Sequence, residues 1–178
     1  MRSFRTGAYC GAWIPREADR LTTRARIEAT LREVLCDPDG SLEVNASGPH
    51  WIGTRAIGLS YAHDENTVFL VWTPDGRPVG VDLEPADRQL KHSITALAER
   101  FFHSSEAATL ARLSEPERTV AFLDLWLRKE AVAKLTRRGL VYSLAINLDQ
   151  LEEIEFEEPA LLPRGKRAVL AFFKSSTR

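Results

Sequence analysis

The alternation of hydrophobic and polar positions predicts a strand and a helix at the start of the chain. Residues 9–14 predict a short strand, which Pro15 ends, and residues 17–35 predict a helix with one apolar face. Four apolar positions share that face at helical spacing: Ile27, Leu31, Val34 and Leu35. The sequence CDPDG at residues 36–40 ends the helix, because proline and glycine break helices and suit turns.

The middle of the chain predicts three strands separated by turns. Residues 55–72 contain the sequence GLSYAHDENTVFLVW and predict two strands with a turn near residues 63–66. The sequence TPDGRP at residues 73–78 is a dense turn signal. The sequence VGVDLE at residues 79–84 then predicts a further strand.

The rest of the chain predicts helices followed by strands. The predicted helices are residues 90–103, 104–113 and 115–136, and the predicted strands are residues 151–157 and 167–173. A break near residues 103–105 separates the first two helices, and Gly139 lies near the C-cap of the third. This order favours an α+β fold with two unequal halves. We expect an N-terminal half at residues 1–76 and a C-terminal half at residues 77–178, within one structural unit.

The composition is that of an ordinary soluble globular protein. Hydrophobic residues make up 44% of the 178 positions and charged residues 28%, which is the usual range. The 24 Lys and Arg against 25 Asp and Glu give a formal net charge of -1. This balance disfavours a nucleic-acid-binding role, because such domains are usually strongly basic.

The sequence lacks the segments expected of membrane, secreted and disulfide-rich proteins. Its longest apolar run, at residues 168–173, has six residues, far below the roughly 18 that span a bilayer. The first residues contain no long apolar stretch typical of a secretory signal, and two cysteines, Cys10 and Cys36, do not make a disulfide framework. We therefore expect a cytoplasmic protein.

Arginine is concentrated at the start of the chain. The first 32 residues contain seven arginines, no lysine and three acidic residues, so this segment is basic although the whole chain is nearly neutral. Arginine suits planar, bidentate contact with phosphate. A solvated helix face with internal ion pairs explains the same pattern, and the charges alone do not decide between the two.

Two acidic residues share one face of the strand predicted at residues 79–84. Alternate side chains of a strand point to the same face, so Asp82 and Glu84 lie together. The opposite face is apolar and consists of Val79, Val81 and Leu83. Like charges this close favour a cation between them, and carboxylate oxygens suit Mg²⁺. Taken alone, the hexapeptide is more typical of a surface strand with two solvated acids.

The sequence WLRKEAVAK at residues 126–134 places an acid and a base on one helix face. Trp126, Glu130 and Lys134 are spaced at i, i+4 and i+8. A carboxylate one turn from an ammonium could hold a metal and a phosphate together. The simpler alternative is a helical Glu–Lys pair worth about 0.2–0.5 kcal/mol beside a core tryptophan.

The two motifs together resemble the 4′-phosphopantetheinyl transferases, and the resemblance is closest to the Sfp-type branch. The family pattern is Gly-[Val/Ile]-Asp-x-Glu in a strand and Trp-x-x-Lys-Glu-[Ala/Ser]-x-x-Lys in a helix. Both are complete here, at residues 80–84 and 126–134. FFHSSE at residues 101–106 resembles the family's Phe-Phe-x-x-x-Glu junction, and SYAHD at residues 60–64 keeps the histidine of a family strand end but loses its serines. The resemblance covers about residues 48–145.

The resemblance implies a fold and a reaction. The implied fold has two pseudo-symmetric halves, each a small antiparallel sheet packed with helices, with the active site in the cleft between them; a monomer is expected. The implied reaction transfers phosphopantetheine from coenzyme A to a serine of an apo carrier protein and releases adenosine 3′,5′-bisphosphate. Mg²⁺ is the implied cofactor, since phosphoryl chemistry of this kind depends on metal and positive charge.

The resemblance also implies roles for five acidic and basic residues. Asp82, Glu84 and Glu130 would hold Mg²⁺ against the diphosphate. Lys134 would neutralise charge on the phosphates as the bridging oxygen departs. Glu130 is the first candidate to accept the serine proton, and Glu106 is the second candidate, for metal support or a proton relay.

Residues before the first motif are implied to bind coenzyme A. His63 would contact one of its phosphates, with a hydrogen-bonded strand-end histidine as the alternative. Arg24 and then Arg20 are the candidates for its 3′-phosphate, because family members use N-terminal basic residues there. Relatives often have Gly-Lys-Pro upstream of the histidine, where this chain has Gly-Pro-His. His50 or Arg55 is a candidate to replace the missing lysine.

Two other functions stay open at this point. The same fold could be a catalytically inactive subunit that binds a carrier protein, or a different Mg²⁺-nucleotide enzyme could use the same acids. The intact acids argue against the first, because a binding module needs no metal site. Carrier proteins are usually acidic around their serine, so a basic or apolar partner surface is expected. Residues 101–113 offer apolar side chains for it, with core packing as the alternative; the sequence does not distinguish fatty-acid, polyketide and peptide carriers.

Overall fold

A computed structural model describes residues 2–90 and 92–174 of the chain. Its N-terminal elements are β1 (Arg2–Arg5), β2 (Cys10–Pro15), α1 (Arg20–Leu35), β3 (Ser41–Asn45), β4 (Gly48–Ile52), β5 (Gly58–His63) and β6 (Thr67–Thr73). Its C-terminal elements are β7 (Val79–Pro85), α2 (Ile94–Phe101), α3 (Ser104–Ala111), α4 (Glu115–Thr136), α5 (Leu140–Ala145), β8 (Ile154–Glu157) and β9 (Lys166–Phe173). A short 3₁₀ turn, Leu148–Gln150, precedes β8.

The strands form small antiparallel sheets, as expected for the α+β class. Four strands lie in the order β1-β2-β6-β5, and three lie in the order β7-β9-β8. The strands β3 and β4 form a separate hairpin. The predicted fold class of small antiparallel sheets packed with helices is therefore confirmed.

The two larger sheets share one hydrophobic core. It contains Phe69 and Val71 of β6, Val81 of β7 and Leu170 of β9, all fully buried. These residues come from both ends of the sequence, so neither sheet covers this face by itself. The expected orientation of Val79, Val81 and Leu83 towards a core is confirmed.

The strand β6 is buried on both of its faces. Phe69 and Val71 face the shared core, while Val68 and Leu70 pack with Ile27 and Leu31 of α1. This arrangement explains why VFLVW is a continuous apolar run and does not alternate with polar residues.

The helix α4 lies directly against the other face of β7, and Gly80 makes this approach possible. A side-chain carbon at position 80 would clash with the carbonyl oxygen of Ala131 and would lie 2.6 Å from the amide nitrogen of Leu135. The absence of a side chain brings the strand motif and the helix motif together. This close contact is the structural basis of the candidate site.

Several predicted boundaries differ from the structure. The first helix begins at Arg20 and not at residue 17, because Asp19 caps its N-terminus by accepting a hydrogen bond from Thr22 N. The helix predicted at residues 90–103 begins only at Ile94, after the cap Ser93, and residue 91 lies outside the described residues. The C-cap of α4 is Arg137; Gly139, which was predicted to lie near it, is two residues further on and caps the start of α5.

The strand β1, the hairpin β3–β4 and the helix α5 carried no clear sequence signal. Each is a short element of four to six residues, too short for a periodic pattern to stand out. No helix within residues 2–90 and 92–174 is long and apolar enough to cross a membrane.

Candidate functional site

The strand motif and the helix motif meet through Asp82 and Lys134. The Lys134 ammonium donates to Oδ1 of Asp82 and to the carbonyl oxygen of Val81, both at 2.8 Å. Asp82 is buried, with 5% of its surface exposed, so it is not the solvated surface acid that the hexapeptide alone favoured. Burial of the carboxylate requires a charged partner, and the helix supplies that partner.

The second oxygen of Asp82 is buried without a hydrogen-bond donor. Oδ2 has no partner among the described residues, and the half-buried Glu130 lies near enough to feel the Asp82 charge. Burial and the charge of Asp82 raise the pKa of Glu130, against the opposing charges of Lys134 and Arg88. The carboxylates of Asp82 and Glu130 thus lie close together, and the neighbouring basic side chains do not fully compensate their negative charge.

Glu84, the third acid, has a basic partner of its own. It forms an ion pair with Arg88, and the Arg88 guanidinium lies 5.7 Å from the centroid of the Trp126 ring. Among the described residues the buried Trp126 indole N–H has no hydrogen bond of regular geometry, but it lies close enough to Glu130 to lower the pKa of that carboxyl. Arg88 therefore links the strand acid to the tryptophan of the helix motif.

The donor set fits Mg²⁺ at two positions and requires a change at the third. An unpartnered carboxylate oxygen on Asp82 beside Glu130 is the hard oxygen chemistry that Mg²⁺ prefers. Within residues 2–90 and 92–174, no three His, Cys, Asp or Glu side chains converge closely enough to hold a metal as they stand. Glu84, which is paired with Arg88, would have to move closer to complete the set.

Glu106 lies in a different environment from the other predicted site residues. It forms an ion pair with Lys129 at 2.7 Å and accepts hydrogen bonds from the amides of His103 and Leu148. Lys129 is completely buried and also donates to Ile146 O at 2.6 Å. These contacts join α3, α4 and the chain after α5, so they argue for a positioning role of Glu106 and against metal support.

His63, Arg20 and Arg24 line one cavity of about 530 Å³, together with Arg16. Although His63 is exposed by surface area, the surrounding protein partly desolvates its ring. This desolvation and the charges of Arg16 and Lys134 lower the pKa of His63 below its ordinary value. The structure thus brings the predicted coenzyme A residues together, beside a cavity rich in positive charge.

The N-terminal arginines divide into two groups. Arg26 and Arg32 form ion pairs with Glu17 and Glu28. These two arginines follow the alternative explanation, in which the basic residues pair with acids of the same segment. Arg24 donates to the carbonyl oxygen of Leu42 at 2.5 Å and forms no ion pair with a described carboxylate. Only some of the basic segment is therefore available to an anion.

The end of β5, which carries His63, is fixed by the next residue, Asp64. The Asp64 carboxylate pairs with Lys166, and its carbonyl oxygen accepts from Arg16 Nη1 at 2.7 Å. Burial would raise the pKa of Asp64, but Lys166 and the amides of Asn66 and Thr67 bring it below its ordinary value. These contacts tie β5 to the start of β9 next to His63.

A second cavity, of about 300 Å³, lies beside Glu130 and Lys134. Tyr61 lines both cavities, so the arginine-lined space and the motif residues are neighbours. Arg137, the C-cap of α4, also lines the second cavity.

Sequence reasoning missed Tyr61, Arg16 and Arg137 as site residues. Tyr61 lies two residues before His63 on one face of a strand, and Arg137 directly follows the helix that carries Lys134. Spacing could have indicated both. Arg16 had no signal beyond the basic composition of its segment.

Other predicted positions are placed elsewhere. Phe102 and Leu110 are buried in the core between α2, α3 and α4, which is the core-packing alternative for residues 101–113. Arg55 lines neither of the two cavities. His50 contacts Arg137 Nη1 at 2.9 Å and so lies at the edge of the second cavity.

Comparison with known proteins agrees with this geometry. Residues 78–175 match the model of the 4′-phosphopantetheinyl transferase superfamily. A 4′-phosphopantetheinyl transferase of Bacillus pumilus is 41% identical over 99 residues, which cover 54% of this chain and 38% of that protein. The 4′-phosphopantetheinyl transferase Sfp of Bacillus subtilis is 31% identical over 88 residues, which cover 48% of this chain and 38% of Sfp.

The family match covers more than half of the chain and includes both motifs, so the chain belongs to the 4′-phosphopantetheinyl transferase superfamily. The aligned segment spans less than two-fifths of the length of either relative.

Proposed function

We propose that this protein transfers the 4′-phosphopantetheine group of coenzyme A to a serine hydroxyl of an apo carrier protein. The observation that carries the proposal is the meeting of Asp82, Glu130 and Lys134 beside a cavity lined by His63 and arginines. Acids suited to a metal and bases suited to phosphates are the two requirements of diphosphate chemistry.

The proposed reaction exchanges one phosphorus–oxygen bond for another. The serine oxygen attacks the β-phosphorus of the diphosphate and forms a new P–O bond, and the bond from that phosphorus to the bridging oxygen breaks. The serine loses its proton, and adenosine 3′,5′-bisphosphate leaves with the bridging oxygen. No oxidant, reductant or covalent enzyme intermediate is needed.

Glu130 and Lys134 have complementary roles in this proposal. Glu130 lines the cavity beside Lys134 and accepts the serine proton. Lys134 is held by Asp82 and neutralises the negative charge that develops on the leaving phosphate. The buried Lys129–Glu106 pair keeps α4 in place behind them.

Asp82 and Glu130, joined by Glu84, are the residues that would hold Mg²⁺. When bound, the ion would neutralise part of the diphosphate charge and supply the positive charge that the unpartnered Asp82 oxygen lacks. His63, Arg20 and Arg24 bind the phosphates of coenzyme A from the neighbouring cavity.

The proposal also covers the macromolecular substrate, the oligomeric state and the location of the reaction. The macromolecular substrate is an acidic carrier protein of fatty-acid, polyketide or peptide synthesis, the protein acts as a monomer, and the reaction takes place in the cytoplasm. Residues 1–76 contribute coenzyme A contacts, and residues 77–178 carry both motifs.

The test is a transfer assay with Glu130→Gln. Incubation of the wild type with coenzyme A, Mg²⁺ and apo carrier proteins is expected to add one phosphopantetheine to a carrier serine, measured by mass spectrometry. The variant is expected to lose about 10²–10⁴-fold in rate, because it lacks a proton acceptor and a metal ligand. Its circular dichroism should match the wild type.

Glu99→Gln is the matched control, since Glu99 is an exposed glutamate on α2 and the same chemical change there should leave the rate unaltered. Full activity of Glu130→Gln would overturn the assignment of Glu130. If the protein bound an apo carrier protein but modified none of those tested, the result would favour the alternative of a catalytically inactive subunit that binds carriers.

A further inference from the structure

The end of α4 and the hairpin β3–β4 meet through an arginine and a histidine. Nη1 of Arg137 lies 2.9 Å from Nε2 and 3.2 Å from Nδ1 of His50, and His50 Nε2 lies 2.9 Å from Ser47 Oγ. Arg137 and His50 are 87 positions apart in the sequence. The contact therefore depends on the tertiary fold, and its Arg137 side chain lines the second cavity.

Arg137 has a backbone conformation that favours glycine. Its φ is +57° and its ψ is +21°, in the left-handed region. Non-glycine residues adopt this region uncommonly; within the described residues it is shared with Cys36, the C-cap of α1. Gly139 is two residues away, so the chain has glycine nearby but has an arginine at this position.

Arg137 also forms no ion pair with any acidic residue that the structure describes. Arg26, Arg32 and Arg118 each form an ion pair with a carboxylate, whereas the described contacts of Arg137 are with the His50 ring. Two cationic side chains, Lys134 and Arg137, line this cavity beside one carboxylate, Glu130. Because Lys134 is paired with Asp82, the Arg137 charge is the one left for an anion.

We propose that Arg137, held in place by His50, binds a phosphate group of coenzyme A. The inference rests on the proposed function and names a residue for it outside the strand and helix motifs. Residues 46–49 of the hairpin turn line the same cavity and include no basic residue, so the positive charge on this side of the cavity comes from Arg137. A planar guanidinium binds two phosphate oxygens at once, and His50 limits the orientations that it can adopt.

Arg137→Gly tests the inference, because it removes the cation and places glycine at the left-handed position. Coenzyme A binding is measured by isothermal titration calorimetry, and the thermal midpoint is measured in parallel. The variant is expected to bind coenzyme A at least about ten-fold more weakly, the effect of losing a hydrogen bond to a charged group. Its thermal midpoint should be equal to or above that of the wild type, because glycine suits the left-handed conformation.

A second titration with 3′-dephospho-coenzyme A identifies the phosphate. A loss of affinity for coenzyme A alone assigns Arg137 to the 3′-phosphate, and an equal loss for both compounds assigns it to the diphosphate. Arg137→Lys keeps the charge without the planar group and should recover part of the affinity. His50→Gln should weaken binding less than Arg137→Gly does.

Arg138→Ala is the matched control. Arg138 carries the same charge at the next position, but it stacks on Tyr142 and lies outside the second cavity. Unchanged coenzyme A affinity of Arg137→Gly, or an equal loss in Arg138→Ala, would overturn the inference. If the wild type binds coenzyme A and only this result fails, the proposed function stands; if the wild type does not bind coenzyme A, both fall.

Discussion

Single residues in the site are coupled through their charges. The unpartnered oxygen of Asp82 and the raised pKa of Glu130 have the same origin, since both reflect carboxylates withdrawn from water near one another. Lys134 satisfies only one of the Asp82 oxygens. The site thus stores an unfavourable interaction that a bound cation would relieve.

Coenzyme A binding is predicted to be coupled to the protonation of His63. Desolvation and the charges of Arg16 and Lys134 lower its pKa in the free protein. An anion bound between these groups favours the protonated ring, so the pKa of His63 rises on binding and the complex takes up protons. The affinity for coenzyme A should therefore increase as the pH falls from about 8 towards the ordinary histidine pKa of about 6.5.

Calorimetry in buffers of different ionisation enthalpy measures this proton uptake. The observed binding enthalpy should vary with the buffer for the wild type, and the variation should shrink in His63→Gln. An enthalpy that is the same in every buffer would show that His63 does not contact the bound phosphates.

At the scale of secondary structure, the contact between β7 and α4 depends on Gly80. The strand β7 and the helix α4 approach closely because Gly80 has no side chain. Replacement of Gly80 by alanine would force the two elements apart. Since Asp82 is on the strand and Glu130 and Lys134 are on the helix, this separation would also disturb the site.

Gly80→Ala is expected to lower the free energy of unfolding by about 1–3 kcal/mol, the usual effect of overpacking, and to weaken transferase activity as well. Urea denaturation and the carrier assay measure the two effects. Gly7→Ala is the control, because a side-chain carbon at Gly7 meets no atom within 4 Å. Equal stability of both alanine variants would show that β7 and α4 are not in tight contact.

The buried Lys129–Glu106 ion pair is the second interaction that positions α4. Burial lowers the pKa of Lys129, while the Glu106 carboxylate opposes this shift. Removal of one partner leaves the other buried without its counter-charge, a change that costs about 3–5 kcal/mol. Lys129→Met and Glu106→Gln should each destabilise the protein strongly.

A double-mutant cycle separates this pairing from two independent losses. The double variant should be more stable than the sum of the single effects predicts, with a coupling of about 0.5–3 kcal/mol, measured by urea denaturation. Strict additivity would mean that Glu106 does not interact with Lys129, and a catalytic role for Glu106 would again be open.

The whole molecule is built around a core that both ends of the chain share. Phe69 and Val71 of the N-terminal sheet pack against Val81 and Leu170 of the C-terminal sheet. Polar contacts cross between them too, such as Trp13 Nε1 to Leu161 O at 2.8 Å. Neither sheet would keep its buried face away from water without the other.

We therefore predict a single cooperative unfolding transition. Tryptophan fluorescence and far-ultraviolet circular dichroism should give the same midpoint. Phe69→Ala should lower the stability of the whole protein by about 3–5 kcal/mol, while Val141→Ala, at an exposed position, should change it by less than about 0.5 kcal/mol. Two separate transitions would show that residues 1–76 and 77–178 fold independently.

Much of the architecture was predictable because its signals are local. The strand β7 and the helix α4 follow directly from their periodic apolar positions, and the turn between β5 and β6 follows from its polar residues. The hairpin β3–β4 was missed because its stability comes from Leu42 and Trp51 in the core against α1, which is a long-range contact.

The sequence by itself determined the family, the α+β class and the placing of Asp82 and Glu84 on one strand face and Glu130 and Lys134 on one helix face. The family follows from the resemblance of two complete motifs, and the shared faces follow from backbone periodicity, which is a local property of each segment. Only the tertiary structure decided that Asp82 pairs with Lys134, that Glu84 pairs with Arg88 and that Glu106 pairs with Lys129. The partner of each acid depends on which basic side chains lie near it in the folded protein. These distances are set by the packing of the whole chain, because the paired residues belong to different elements.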